Sequence, residues 1–143
     1  MQAKEAFQKV VEHCRWLGIP LKHKSKKQTM DLNGHKVLLS ATINYYDEWE
    51  TDYQGAFYIC LRFDLEKKAT WYRVAVLLHE IGHVCDYRNN MFMLDRKIIE
   101  NEYAANEEAK RIADILDIPL EKILHHHEKI IDNYKRVLPK EEI

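Results

Sequence analysis

The chain is poor in the residues that break or loosen a fold, with four Gly and three Pro among 143 residues. That scarcity excludes collagen-like and low-complexity architectures and leaves little material for flexible linkers. Three cysteines, Cys14, Cys60 and Cys85, are an odd number with no C-x-x-C pair. They suit small buried hydrophobes in a reducing cytoplasm better than a disulfide framework. No stretch reaches the roughly 18 uninterrupted apolar residues that a membrane span needs. The N-terminus is charged from Lys4 onward and shows no apolar run of signal-peptide length. An excess of one charge is missing as well: Lys and Arg number 22 against 23 Asp and Glu, for a net charge of −1. Direct binding of nucleic acid is therefore not expected. What is present is a 46% hydrophobic chain, long enough for its own core and expected to form one cytoplasmic domain, residues 1–143.

Residues 3–17 carry Phe7, Val10, Val11, Cys14 and Leu17 at helical spacing, and Gly18-Ile19-Pro20 stops the run. Lys22, Lys24, Lys26 and Lys27 then cluster without aromatics, which reads as a solvated loop or edge strand. Asn33-Gly34 signals a tight turn between strand-like runs at about 28–32 and 35–45, and a third β-rich run covers about 56–64. Trp49 and Tyr53 between them read as caps on the core. Since consecutive strands usually pair, a small antiparallel sheet of about three strands is expected. Helices are predicted over about 67–87, over about 95–117 with Asp95 as N-cap, and from Pro119 to near Leu138-Pro139. The expected fold class is α+β: an N-terminal helix, the small sheet, then three helices. The segments GIPLKHK and DIPLEKI are alike but too short to make a repeat.

The first of those three helices holds the chemistry. His79-Glu80-Ile81-Gly82-His83 is an H-E-x-x-H motif inside an apolar run. On a helix, residues i and i+4 share a face, so His79 and His83 can direct imidazole nitrogens at one divalent ion, with zinc the expected cofactor. Glu80 is offset toward a water at such an ion and suits a general base. At this chain's His and Glu frequencies, chance gives about 0.04 such motifs.

Two imidazoles leave zinc one protein ligand short. The elongated motif would place a His or Asp six residues after His83 and a Gly three after it; Asn89 and Asp86 stand there instead. A Glu from the following helix is the alternative. Glu102, Ala105, Asn106 and Ala109 fall on one helical face, whose small residues permit close approach to the His-bearing helix. Glu102 could then close the site, with Asn106 orienting a neighbour. Asp86, on the face of His79 and His83, either accepts a hydrogen bond from a ligand imidazole or is a surface carboxylate.

HEIGH followed by a helix of pattern E-x-x-A-N-x-x-A, and LDIP at 116–119, resembles the ImmA/IrrE family of bacterial and phage zinc metallopeptidases. The likeness covers roughly residues 36–119. It implies a gluzincin-like core with His79 and His83 as zinc ligands, Glu80 as the catalytic residue and Glu102 as the third ligand. It also implies a protein substrate, a helix-turn-helix repressor. Glu108 stands where the family pattern has a bulky aromatic. That difference motivates an alternative, a metal-containing module or antirepressor that sequesters a repressor without cutting it.

Other residues read more plainly. Cys85 fits a packed helix cysteine better than a redox thiol. His125-His126-His127 fan around a helix, cannot share one metal and read as solvated or interfacial. Tyr72, Tyr103 and Tyr134 are equivalent candidates for donating to an oxyanion, each also suited to core packing.

Overall fold

The computed structural model describes residues 1–23, 28–32, 35–39, 41–45, 57–61, 69–90 and 95–143, the stretch between 28 and 45 by its backbone. Helix α1 (Ala3–Trp16) forms because Ala6, Phe7, Val10, Val11 and Cys14 fall on one face, and all are buried. It ends in a Schellman turn. Gly18 takes φ +72°, its amide donates to the Arg15 carbonyl at 2.9 Å, and the Ile19 amide donates to Cys14 at 3.1 Å. The same device closes α3 (Ile98–Ile115): Asp117 takes φ 55° and the Ile118 amide donates to Ala113 at 2.8 Å. The likeness of GIPL and DIPL is therefore a shared helix stop, each delivering a buried Ile to the core.

The sheet differs from expectation. The strands are β1 (Leu21–His23), β2 (Gln28–Leu32), β3 (His35–Leu39), β4 (Ala41–Tyr45) and β5 (Phe57–Leu61). No antiparallel three-stranded sheet forms from the three predicted runs. β2 and β3 make a separate antiparallel ribbon, from Gln28↔Leu39 to Leu32↔His35. The run 35–45 is two strands, and β4 leaves the ribbon to pair antiparallel with β5. β5 also takes β1 alongside in parallel, Leu21 opposite Ile59 and His23 opposite Leu61, and the Ile59 amide donates to the Pro20 carbonyl at 2.9 Å. Neighbour-pairing logic missed this because the partner of β1 is set by where α1 releases the chain. The fold is mostly helical, and the α+β expectation with its antiparallel sheet is corrected accordingly.

Helix α2 (Trp71–Asn90) is the central element. The Thr70 hydroxyl accepts the Arg73 amide at 3.2 Å at its start. From Val74 to Asp86 every residue except Glu80 is buried, because α1, α3, α4, β4 and β5 surround the helix. Leu77, Leu78 and Ile81 are wholly enclosed, each contributing about 1.5–3 kcal/mol of burial. Residues 67–68 of the predicted span lie outside the described residues, and the predicted break at Arg88 comes after Asn90.

Helix α3 starts at Ile98, not at Asp95, which is exposed. Its N-terminus has no local side-chain cap; Glu142 accepts the Ile98 amide at 3.1 Å instead, placing a carboxylate at the positive helix end. Pro119 begins no long helix. It precedes a single 3-10 turn (Leu120–Lys122), and α4 runs from Leu124 to Val137, burying His127 and Ile131. Among the described residues no helix is long and apolar enough to cross a membrane.

Candidate metal centre

The centre depends on how closely α2 and α3 approach. Gly82 sits where an added Cβ would lie 2.1 Å from the Ala105 carbonyl oxygen. Ala105 and Ala109, wholly buried, continue the small-residue seam. Glu102 on α3 is thereby brought against His79 and His83 on α2. Its Oε2 lies 2.7 Å from His79 Nε2 and 3.0 Å from His83 Nε2. The two rings meet edge to face with centroids 4.6 Å apart. All three residues are buried, and one ligand atom from each lies within 4.8 Å of the others. This buried group could hold a metal ion.

Hydrogen-bond logic assigns the protons around it. Asn106 Nδ2 faces the His127 carbonyl at 3.4 Å, and a carbonyl only accepts, so the amide nitrogen donates there. Asn106 Oδ1 is then turned to His79 Nδ1 at 2.7 Å, which must donate. A neutral imidazole carries one ring proton, so His79 Nε2 presents a bare lone pair to the Glu102 carboxylate. Two acceptors 2.7 Å apart require a cation between them, a proton or a metal ion. Among the described residues His83 Nδ1 has no hydrogen-bond partner, and the ring meets Glu102 through Nε2. Two imidazole nitrogens and a carboxylate oxygen suit a divalent metal.

The electrostatics follow the same pattern. Burial alone would raise the pKa of Glu102. The charge of His83, hydrogen bonds from His79 and His83, and the charge of His79 outweigh it and hold the carboxyl down at about 2. Glu80, half-buried beside them, behaves oppositely. Desolvation raises its pKa to about 8; the charge of His79 opposes the rise and that of Glu102 adds to it. Two neighbouring carboxyls are driven apart, one toward permanent ionisation and one toward carrying a proton.

Other predicted residues divide. Asn106 bonds to His79 as described. Asp86 is buried but turned elsewhere, accepting from Arg96 Nη1 at 2.6 Å and from Asn90 Nδ2 at 3.1 Å. Tyr72 and Tyr103 are exposed. Tyr134 is half-buried on α4. Its hydroxyl pKa is raised by burial and then by the charges of Glu102 and Glu80. Cys85 is packed, its thiol pKa raised by desolvation and the charge of Glu108, the opposite of activation. Trp49, Tyr53, Lys24, Lys26 and Lys27 lie outside the described residues.

His127 is the residue that sequence reasoning misread. His125 is exposed and His126 stacks edge-on with Tyr72, but His127 is buried at 2% exposure. Its Nε2 lies 2.9 Å from the Ala75 carbonyl of α2. Spacing from Ile123 and Ile131 was the available signal, since i, i+4 and i+8 share a helix face.

Comparison of the chain with protein-family models, with curated proteins and with solved structures finds no match.

Proposed function

We propose that the chain is a zinc-dependent endopeptidase that cuts a protein substrate, of which a helix-turn-helix repressor is the favoured kind. The observation that carries this reading is the convergence of His79 Nε2, His83 Nε2 and Glu102 Oε2, with Glu80 next in sequence to the first ligand. The donor set supports zinc: two imidazoles and one carboxylate are a common ligand set of catalytic zinc sites with an open position. When bound, the ion would supply Lewis acidity, polarising the scissile carbonyl and making water nucleophilic near neutral pH. Glu80, its raised pKa lowered by the positive charge of the ion and its carboxyl thereby left ionised, takes the proton of the attacking water and returns it to the departing amine. Asn106 holds the His79 ring in the tautomer that frees Nε2, and the apolar run from Val74 to Leu78 excludes bulk water behind the ligands. The repressor as substrate rests on the resemblance of HEIGH and E-x-x-A-N-x-x-A to the ImmA/IrrE family. Cysteines that are all free and buried support a reducing cytoplasm as its place.

The test is incubation of the zinc-loaded chain with purified helix-turn-helix repressors, read by mass spectrometry beside Glu80→Gln. New peptide termini with the wild type and none with Glu80→Gln are expected. A repressor that is retained without fragments overturns the peptidase reading in favour of sequestration. Fragments formed equally by Glu80→Gln overturn the role of Glu80.

A further inference from the structure

His127 touches both helices that supply the proposed ligands. Its ring crosses to α2, where Nε2 lies 2.9 Å from the Ala75 carbonyl; since that oxygen only accepts, Nε2 carries the ring proton. In a regular helix the Ala75 carbonyl is also the acceptor for the amide of His79, four residues on. Its main-chain carbonyl faces α3 and accepts from Asn106 Nδ2 at 3.4 Å. Asn106 in turn accepts from His79 Nδ1 at 2.7 Å. The bonds close a ring: His79 to Asn106, Asn106 to the His127 main chain, the His127 side chain to Ala75, and Ala75 to the amide of His79.

This ring has a direction. Each side-chain donor in it is paired with an acceptor, and the orientation of the Asn106 amide follows from the position of the His127 carbonyl, which only accepts. The His79 tautomer follows from the Asn106 amide. The His127 side chain is enclosed, with its centroid 6.1 Å from that of His79. Among the described residues its remaining nitrogen, Nδ1, has no hydrogen-bond partner, which leaves the bond to Ala75 as the polar anchor of the ring there.

We infer that His127 is a positioning residue of the metal centre, which fastens α4 to the ligand helix and so fixes the His79 tautomer through Asn106. The inference rests on the metal-centre reading proposed above. It assigns a task to α4, a helix that contributes no ligand.

The test measures zinc affinity by competition with a chromophoric chelator for the wild type, His127→Leu and His127→Gln. His127→Leu fills the space without a donor, and the Gln carboxamide can still donate to the Ala75 carbonyl. His127→Leu should weaken zinc binding about 10- to 100-fold, the usual effect of losing support behind a ligand, and His127→Gln should recover most of it. A packing role would instead lower the melting temperature of the metal-free chain and leave zinc affinity unchanged. That result, or equal weakening by Leu and Gln, overturns the inference. Should His127→Leu not fold, long-range nitrogen–proton NMR of the wild type decides: His127 protonated on Nε2 supports the inference, and protonated on Nδ1 overturns it. A wild type that binds no zinc is a different failure, that of the metal-centre reading itself.

Discussion

His79 Nδ1 and Asn106 Oδ1 lie 2.7 Å apart, both residues buried, one on each of the helices that carry the proposed ligands. The contact spends the only ring proton of a neutral His79 away from Glu102. Asn106→Ala is therefore expected to weaken zinc binding about 10- to 100-fold without removing a ligand. Chelator competition on the folded variant checks this, and unchanged affinity would count against the tautomer argument.

Gly82→Ala offers a test of sign. In a helix interior Ala is normally favoured over Gly by about 1 kcal/mol. Here the added Cβ would lie 2.1 Å from the Ala105 carbonyl oxygen, a clash with main chain that only separation of α2 and α3 relieves. Overpacking of this kind costs roughly 1–3 kcal/mol or more. Thermal unfolding should show a lower melting temperature, accompanied by weaker zinc binding because Glu102 withdraws. A rise in melting temperature would refute the close approach.

The grouping of His79, His83 and Glu102 was legible in the sequence because H-E-x-x-H spacing, helical phase and small residues at Ala105 and Ala109 are local patterns. The closing contact was less so. Gly82 lies inside the motif, but its function depends on which main-chain atom of α3 faces it. His127 was concealed because three consecutive histidines look like a polar surface run, and only packing shows which is enclosed. The cap on α3 comes from Glu142, far along the chain from Ile98. The sheet failed for a related reason: strand runs were visible, but the parallel pairing of β1 with β5 joins segments far apart in the sequence.

Asp86 gives a negative control. Its carboxylate is buried and paired with Arg96 at 2.6 Å, away from the imidazoles. Arg96→Ala leaves that charge without its cation and should cost roughly 1–3 kcal/mol of stability, reduced from the fully buried case by the partial exposure of Arg96. Zinc affinity should stay within a few-fold of the wild type. Denaturant melts and chelator competition on the same sample separate the two, and a large fall in affinity would return Asp86 to the metal site.

Two buried groups, His127 and Glu102, each withdraw stability from the metal-free chain in acid, in successive stages. Burial holds the pKa of His127 down at about 4 against an ordinary 6.5; the Ala75 hydrogen bond opposes this, and the charges of His79, Lys110 and His126 add to it. Below pH 6.5 the unfolded chain takes the His127 proton first, so the contribution of this residue, complete above 6.5, declines toward pH 4, by on the order of 2 kcal/mol at pH 5. Glu102, depressed to about 2 from 4.5, continues the loss below pH 4.5. Glu80, raised to about 8 from 4.5, acts oppositely and adds stability as the pH falls from 8 to 4.5. Urea unfolding at pH 7.5 and 5 therefore reads the His127 stage as a difference, the wild type losing stability relative to His127→Gln as the pH falls. A difference in stability between the wild type and His127→Gln that stays the same at both values would contradict the buried neutral His127.

The most direct test of the central claim is metal content by mass spectrometry of the purified chain, equilibrated with zinc and freed of excess, beside His79→Ala and Glu102→Ala. The account predicts about one tightly held zinc per wild-type chain, since the three ligand atoms converge on one point, and little in either variant. A wild type that retains no zinc, or variants that retain as much as the wild type, would contradict it.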